Sequence, residues 1–168
     1  MALTKVLENG MFDEFTAGEL DIWYKTANES ISTGTNVLSS GWSRWATEWE
    51  KIGTGMTESS GVFTFPSTGK WRILGNLTGY ASSASNYNGL FFEVSTDSGS
   101  NFNVRNQQYQ SSPASNAYFG VSATGFLDVT NASTFRVRFQ YQFATSVTVS
   151  GSSDSLRTYF AFEKIADT

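Results

Sequence analysis

The chain has 168 residues, a formal net charge of −4, no cysteine and no histidine. Its length suits one domain burying roughly 70% of its unfolded surface, and the missing residue types exclude disulfides, thiolate metal sites and Ser-His or Cys-His catalytic dyads. An acidic balance without a basic run argues against a nucleic-acid partner, and no stretch is apolar for long enough to cross a bilayer as a helix, so no membrane partner is expected either.

Residues 1–20 are the least strand-like and are read as an N-terminal arm preceding a domain at 21–168. Leu3, Val6 and Leu7 have helical spacing that Gly10 cuts short, so a turn of helix is expected there. Met11, Phe12 and Phe15 would be wasted in water, so the arm is expected to pack on its own body, a sister chain or a larger assembly. The opening Met-Ala-Leu-Thr-Lys-Val lacks the apolar core of a signal peptide, which predicts synthesis in the cytoplasm. Asp13, Glu14, Glu19 and Asp21 cluster here; a glycosidase pair needs two carboxyls at fixed separation in a cleft, and acids in a surface arm are read as solvated.

Asp21-Ile22-Trp23-Tyr24-Lys25 is predicted as the first strand, with a polar loop over 28–34. Between 35 and 52, Trp42, Trp45, Trp49 and Ile52 recur at steps that would line a helix face, whereas Thr35-Asn36-Val37-Leu38 and the flanking glycines fit short strands, the preferred reading. The three indoles could make a sugar-stacking platform, but the plainer reading places them in the core or a subunit contact. The sequence leaves open whether they are buried.

The chain is organised around residues 61–80. Val62 and Thr64 alternate with Phe63 and Phe65, and Pro66, which cannot donate to a ladder, ends the strand. Gly69 supplies the freedom a reversal needs, so the segment reads as a hairpin through Pro66-Ser67-Thr68-Gly69. The second strand has Trp71, Ile73 and Leu77 on one face and Leu74 and Tyr80 on the other, a pattern that asks for cover on both sides, the second from another subunit.

A Ser/Asn-rich loop then leads to a strand at Tyr87–Ser95, a turn at 97–101 and a strand at Phe102–Tyr109. The turn offers oxygens on alternate residues but lacks the acids a calcium loop needs, so no metal is expected. Gln110–Asn116 is read as a loop. Ala117–Val129 is a strand in which Gly120 and Gly125 suggest a bulge or close backbone approach. In Thr134–Phe143, Phe135, Val137, Phe139, Tyr141 and Phe143 share one face and Arg136, Arg138, Gln140 and Gln142 the other. Thr145–Ser150 and Leu156–Ile165 close the chain as strands.

The corner Gly61, Phe63, Pro66, Gly69 and Trp71, with the closing Tyr159-Phe160-Ala161, resembles the tumour-necrosis-factor and complement-globular-head superfamily, Ala standing where that family has Gly. The resemblance spans roughly residues 20–166 as a pattern of strands. It implies an all-β jelly-roll sandwich of about eight to ten antiparallel strands that assembles as a homotrimer. It also implies trimer contacts at Tyr159, Ala161, Trp71 and Tyr141, with Phe160 in the chain's own core. The opening Met1 to Val6 and the run Gly55 to Pro66 further resemble small virion proteins of tailed phages. That likeness implies a non-enzymatic place on the virion, without cofactor. The chain would be a head decoration or cement protein, its residues Leu3, Val6, Leu7, Met11, Phe12 and Phe15 gripping the major capsid protein or another virion protein. The alternative is a trimeric tail-fibre or appendage tip that binds a host surface glycan through loops 81–88 and 106–118.

Overall fold

Two-residue periodicity dominates the chain and fixes which face of each strand is dry. The computed structural model describes residues 4–6, 12–14, 18–46 and 48–168. Its strands in chain order are β1 (Thr4–Val6), β2 (Phe12–Glu14), β3 (Leu20–Lys25), β4 (Glu29–Ile31), β5 (Gly34–Val37), β6 (Trp42–Arg44), β7 (Thr57–Ser59) and β8 (Val62–Thr64). They continue with β9 (Gly69–Ala81), β10 (Ser85–Ser95), β11 (Asn103–Ser112), β12 (Ala117–Val129), β13 (Arg136–Phe143), β14 (Val147–Val149) and β15 (Tyr159–Ala166).

Beyond β1 and β2 the strands form two antiparallel sheets. One has six strands, in the order β11-β10-β13-β8-β7 with β5 also on β13; the other has seven, in the order β4-β14-β9-β15-β3-β6 with β12 also on β9. Six of these strands hold only three or four residues, which is why the sheets contain more pieces than the sequence pattern suggested. No helix forms among the described residues, so the indole spacing over 42–52 is strand and loop.

The central segment differs from the hairpin expected of it. β8 pairs with β7 and β13, whereas β9 pairs with β12, β14 and β15, so Pro66 to Gly69 carries the chain from one sheet to the other. The residues that stop pairing are those the sequence singled out, and Phe63 and Phe65 turn into the gap between the sheets. Gly69 has φ +143°, and a Cβ there would lie 2.8 Å from the Ala166 carbonyl oxygen.

The core fills that gap. Phe63 sits at its middle, with ring contacts to Trp23, Trp42, Phe139, Phe160 and Phe162 at centroid separations of 5.0 to 6.2 Å. Val137, Phe139 and Phe143 of β13 face it from the six-stranded sheet, opposite Trp71, Ile73 and Leu77 of β9. β12 runs unbroken against β9 from Ala117 to Val129, so neither of its glycines marks a bulge. Gly125 is a close approach, its Cβ position taken by the Phe92 ring, while Gly120 faces open space.

The polar loop expected over 28–34 instead carries β4 and the first residue of β5, and two further boundaries move. β11 continues to Ser112, so three of the residues read as loop, Gln110, Ser111 and Ser112, belong to the strand that pairs with β10. At the other end, the body begins before residue 21: Leu20 exchanges backbone hydrogen bonds with Ile52, and the Lys164 amide donates to the Glu19 carbonyl. In the arm, β1 and β2 pair antiparallel with Thr4 opposite Glu14 and Val6 opposite Phe12, in place of the expected helical turn. Leu3, Leu7, Met11 and Phe15 lie outside the described residues.

Candidate self-association face

The seven-stranded sheet has one face on the core and one turned outward. Alternation along β9 sends Trp71, Ile73, Leu77 and Ala81 inward and Lys70, Arg72, Leu74, Asn76, Thr78 and Tyr80 outward. Register then builds the outward face row by row. Tyr24, Tyr159, Asn76 and Ser122 stand side by side; the next row is Ile22, Ala161, Leu74 and Thr124; the next is Leu20, Glu163, Arg72 and Phe126. Tyr80 and Tyr118 form a ring pair at the far end, with centroids 5.1 Å apart.

The polar groups on this face are largely satisfied within the chain. Arg72 pairs with Glu163 and Lys70 with Asp128, while Asn76 donates to the Arg157 carbonyl and accepts from Ser122. What stays unpartnered is apolar: Leu74 is 39% exposed, Phe126 68% and Tyr118 73%. Leu74 and Phe126, on adjacent rows, give the face an apolar centre among internally neutralised charges, while Tyr118 stands apart at the far end with Tyr80; such a centre suits cover by another protein.

The residues implied as trimer contacts divide. Tyr159 and Ala161 are half-buried on this outward face. Trp71 is on the opposite side of β9, 1% exposed and edge-on to Phe65 at 5.2 Å, so its side chain cannot reach a neighbouring subunit. Tyr141 belongs to β13 of the other sheet and points toward the core, stacked on Phe143 at 4.8 Å. Burial, and then the nearby Glu29 carboxylate, raise its hydroxyl pKa. Even positions of β12, Tyr118 and Phe126 among them, were missed as outward-facing; their signal was the apolar ring at positions out of phase with Phe119, Val121 and Ala123.

The other candidates resolve as structure. The Asp21 carboxylate is not solvated: it is 1% exposed and accepts from Arg44 Nε, Trp23 Nε1 and the Met56 amide, each at 2.8 Å. Glu19 accepts from the Gly55 amide. Asp97 closes its own turn, accepting from Ser95 Oγ, the Asn101 amide and Asn101 Nδ2, and these bonds hold its pKa down at about 2. Among the described residues no three His, Cys, Asp or Glu side chains gather to hold a metal ion. The three indoles share no platform: Trp42 packs into the core with Nε1 donating to the Leu38 carbonyl, Trp45 is buried edge-on to Tyr24, and Trp49 is exposed.

No family model and no curated protein sequence matches the chain. Solved structures do. Murine APRIL at pH 5.0 superposes with a TM-score of 0.63 at 12% identity, covering 88% of this chain and 99% of that one. Eiger TNF from S. frugiperda superposes with a TM-score of 0.66 at 13% identity, covering 90% of this chain and 95% of that one. At such identities the likeness is one of backbone path and strand order.

Proposed function

We propose, for a chain whose fold is a tumour-necrosis-factor-type jelly roll, that it self-associates as a homotrimer through the outward face of the seven-stranded sheet and works by contact, without catalysis. The observation that carries this reading is the exposed apolar pair Leu74 and Phe126, set on adjacent rows among charges that are already paired within the chain. Sedimentation equilibrium tests it: the expected solution mass is three times the 18.4 kDa of one chain. A lone chain that stays monomeric at high concentration overturns it.

The setting we propose for the trimer is the virion surface, as a decoration or cement protein on a phage head. Its support is the likeness of the opening six residues and of Gly55 to Pro66 to small tailed-phage virion proteins. In this setting the arm grips the major capsid protein or a neighbouring virion protein. Because Glu19 and Leu20 are bonded into the body, the deletion that tests the arm is residues 2–17. The truncated chain should keep its solution mass and fail to bind capsids. Imaging of particles decides the place: density on the head lattice supports decoration, and density at the end of a tail appendage replaces it with a host-binding tip.

A further inference from the structure

Three strands of the seven-stranded sheet end side by side. In the pairing of β4, β14 and β9, Ser30 stands opposite Thr148 and Thr148 opposite Tyr80, all on the outward face. The same registers extended by one residue beyond Ile31, Val147 and Ala81 bring Ser32, Ser146 and Ser82 abreast, on the same face by alternation. Six hydroxyl side chains therefore form two rows of three. With strands about 4.8 Å apart and alternate residues about 7 Å apart, the grid measures roughly 10 by 7 Å.

These six residues, with Ile31 and Val147, line a cavity of about 300 Å³. That volume is at the lower end of small-molecule sites, which run about 300–1,000 Å³. No charged side chain lines it. Among the described residues, the hydroxyls of Ser30, Ser32, Ser82, Ser146 and Thr148 have no protein hydrogen-bond partner, whereas Tyr80 is held in place by its bond to Asn116 Oδ1 at 2.8 Å. The Tyr80 ring forms part of the wall, and the exposed Tyr118 ring packs beside it.

We propose that this cavity is a binding site for a neutral saccharide of one or two units. Each hydroxyl can both donate and accept, which matches a ligand whose own groups are hydroxyls. A metal ion would ask for carboxylates and a strongly bound anion for a cation, and the lining offers neither. An apolar ligand would leave five hydroxyls without water or partner. The tyrosine rings supply the flat apolar surface that the C–H face of a pyranose meets. The site lies within one chain, at the β4 and β14 edge of the sheet and six residues along β9 from Leu74, so it goes beyond self-association and stays open in a trimer centred on the Leu74 row.

Saturation-transfer NMR on the full chain tests the proposal, with glucose, galactose, mannose, N-acetylglucosamine, rhamnose, maltose and lactose as probes and sodium sulfate as the anionic control. At least one sugar should receive saturation and shift the amides of residues 30–32, 80–82 and 146–148, and sulfate should not displace it. Thr148→Val combined with Ser146→Ala should weaken that sugar by about tenfold or more, with melting temperature and solution mass unchanged. Should the pair fail to fold, Ser82→Ala, at the end of β9, is expected to weaken binding by itself. Failure of every sugar to bind, shifts confined to another part of the chain, unchanged affinity in the folded variants, or displacement by sulfate overturns the assignment. Solution mass reads the trimer separately, so either proposal can fail alone.

Discussion

Phe139 and Phe160 lie face to face across the sandwich, with ring centroids 3.3 Å apart and planes within 6°. One ring comes from β13 and the other from β15, so the stack ties the two sheets together at the centre of the core. Gly75 of β9 makes room for it: a Cβ there would come within 3.1 Å of Phe160 and 3.2 Å of Phe139. Neither ring can retreat without breaking the stack.

Phe139→Ala removes one half of that contact from a site that is 1% exposed. The expected cost is about 3–5 kcal/mol, transfer and cavity terms together. Against a typical stability of about 5–15 kcal/mol, the variant should unfold at a markedly lower guanidinium midpoint. An unchanged midpoint would show that Phe139 does not hold the sheets together.

The inward half of this core was legible in the sequence because alternation reports it directly. Phe63 and Phe65, the odd positions of 135–143 and the odd positions of β9 all turned inward as their spacing required. The sheet to which each strand belongs was not legible. Residues 61–80 carry every mark of a hairpin, yet the marks say only that pairing stops at Pro66, and an interrupted ladder looks alike whether the chain turns back or changes sheet. The resemblance likewise implied contacts at Trp71 and Tyr141 without saying which face they occupy, and both turn toward the core. Tyr159 and Ala161 came out on the open face because they flank Phe160, whose burial fixes its neighbours outward. The hydroxyl cavity had no local signal at all: its six residues come from three segments that only the registers of β4, β14 and β9 bring together.

Asp21 is the buried charge on which the neighbouring loop depends. Its two oxygens take Arg44, Trp23 and the Met56 amide, and Arg44 in turn donates to the Met56 carbonyl at 2.7 Å. Asp21→Ala leaves a guanidinium, an indole N–H and a backbone amide facing a vacated site. Because Arg44 keeps a third of its side chain in water, the cost comes chiefly from the donors left unsatisfied, about 1–3 kcal/mol for each buried group, and thermal unfolding should register it. Rapid exchange of the Met56 amide in the folded variant would locate the damage; a melting temperature equal to that of the parent would contradict it.

Asp97 gives the turn between β10 and β11 a pH dependence with a defined sign. Its folded pKa, about 2, lies below the ordinary 3.8 because Ser95, and then Asn101 through side chain and backbone, donate to the ionised form. The unfolded chain therefore binds more protons between those values, so the contribution is complete above 3.8 and lost as pH falls through about 2. The Asn101 amide, 2.9 Å from Asp97 Oδ1, is the reporter. Its NMR shift should titrate with a midpoint near the lower value, and a midpoint near 3.8 would mean the bonds do not form in solution.

Leu74 separates the two faces of β9. It stands between Ala161 and Thr124 on the outward side, next to Ile73, which is fully buried on the inward side. A carboxylate at position 74 stays hydrated in a lone chain but loses its water when a second copy covers the sheet, at a cost of several kcal/mol for each unpaired ion. Leu74→Glu should therefore leave the far-ultraviolet spectrum intact and drop the solution mass from three chains to one of 18.4 kDa. Ile73→Glu puts the same charge into the core and should prevent folding altogether. If Leu74→Glu keeps the parent's mass, the assembled surface is elsewhere, since no close-packed interface centred on that row would accept the buried charge.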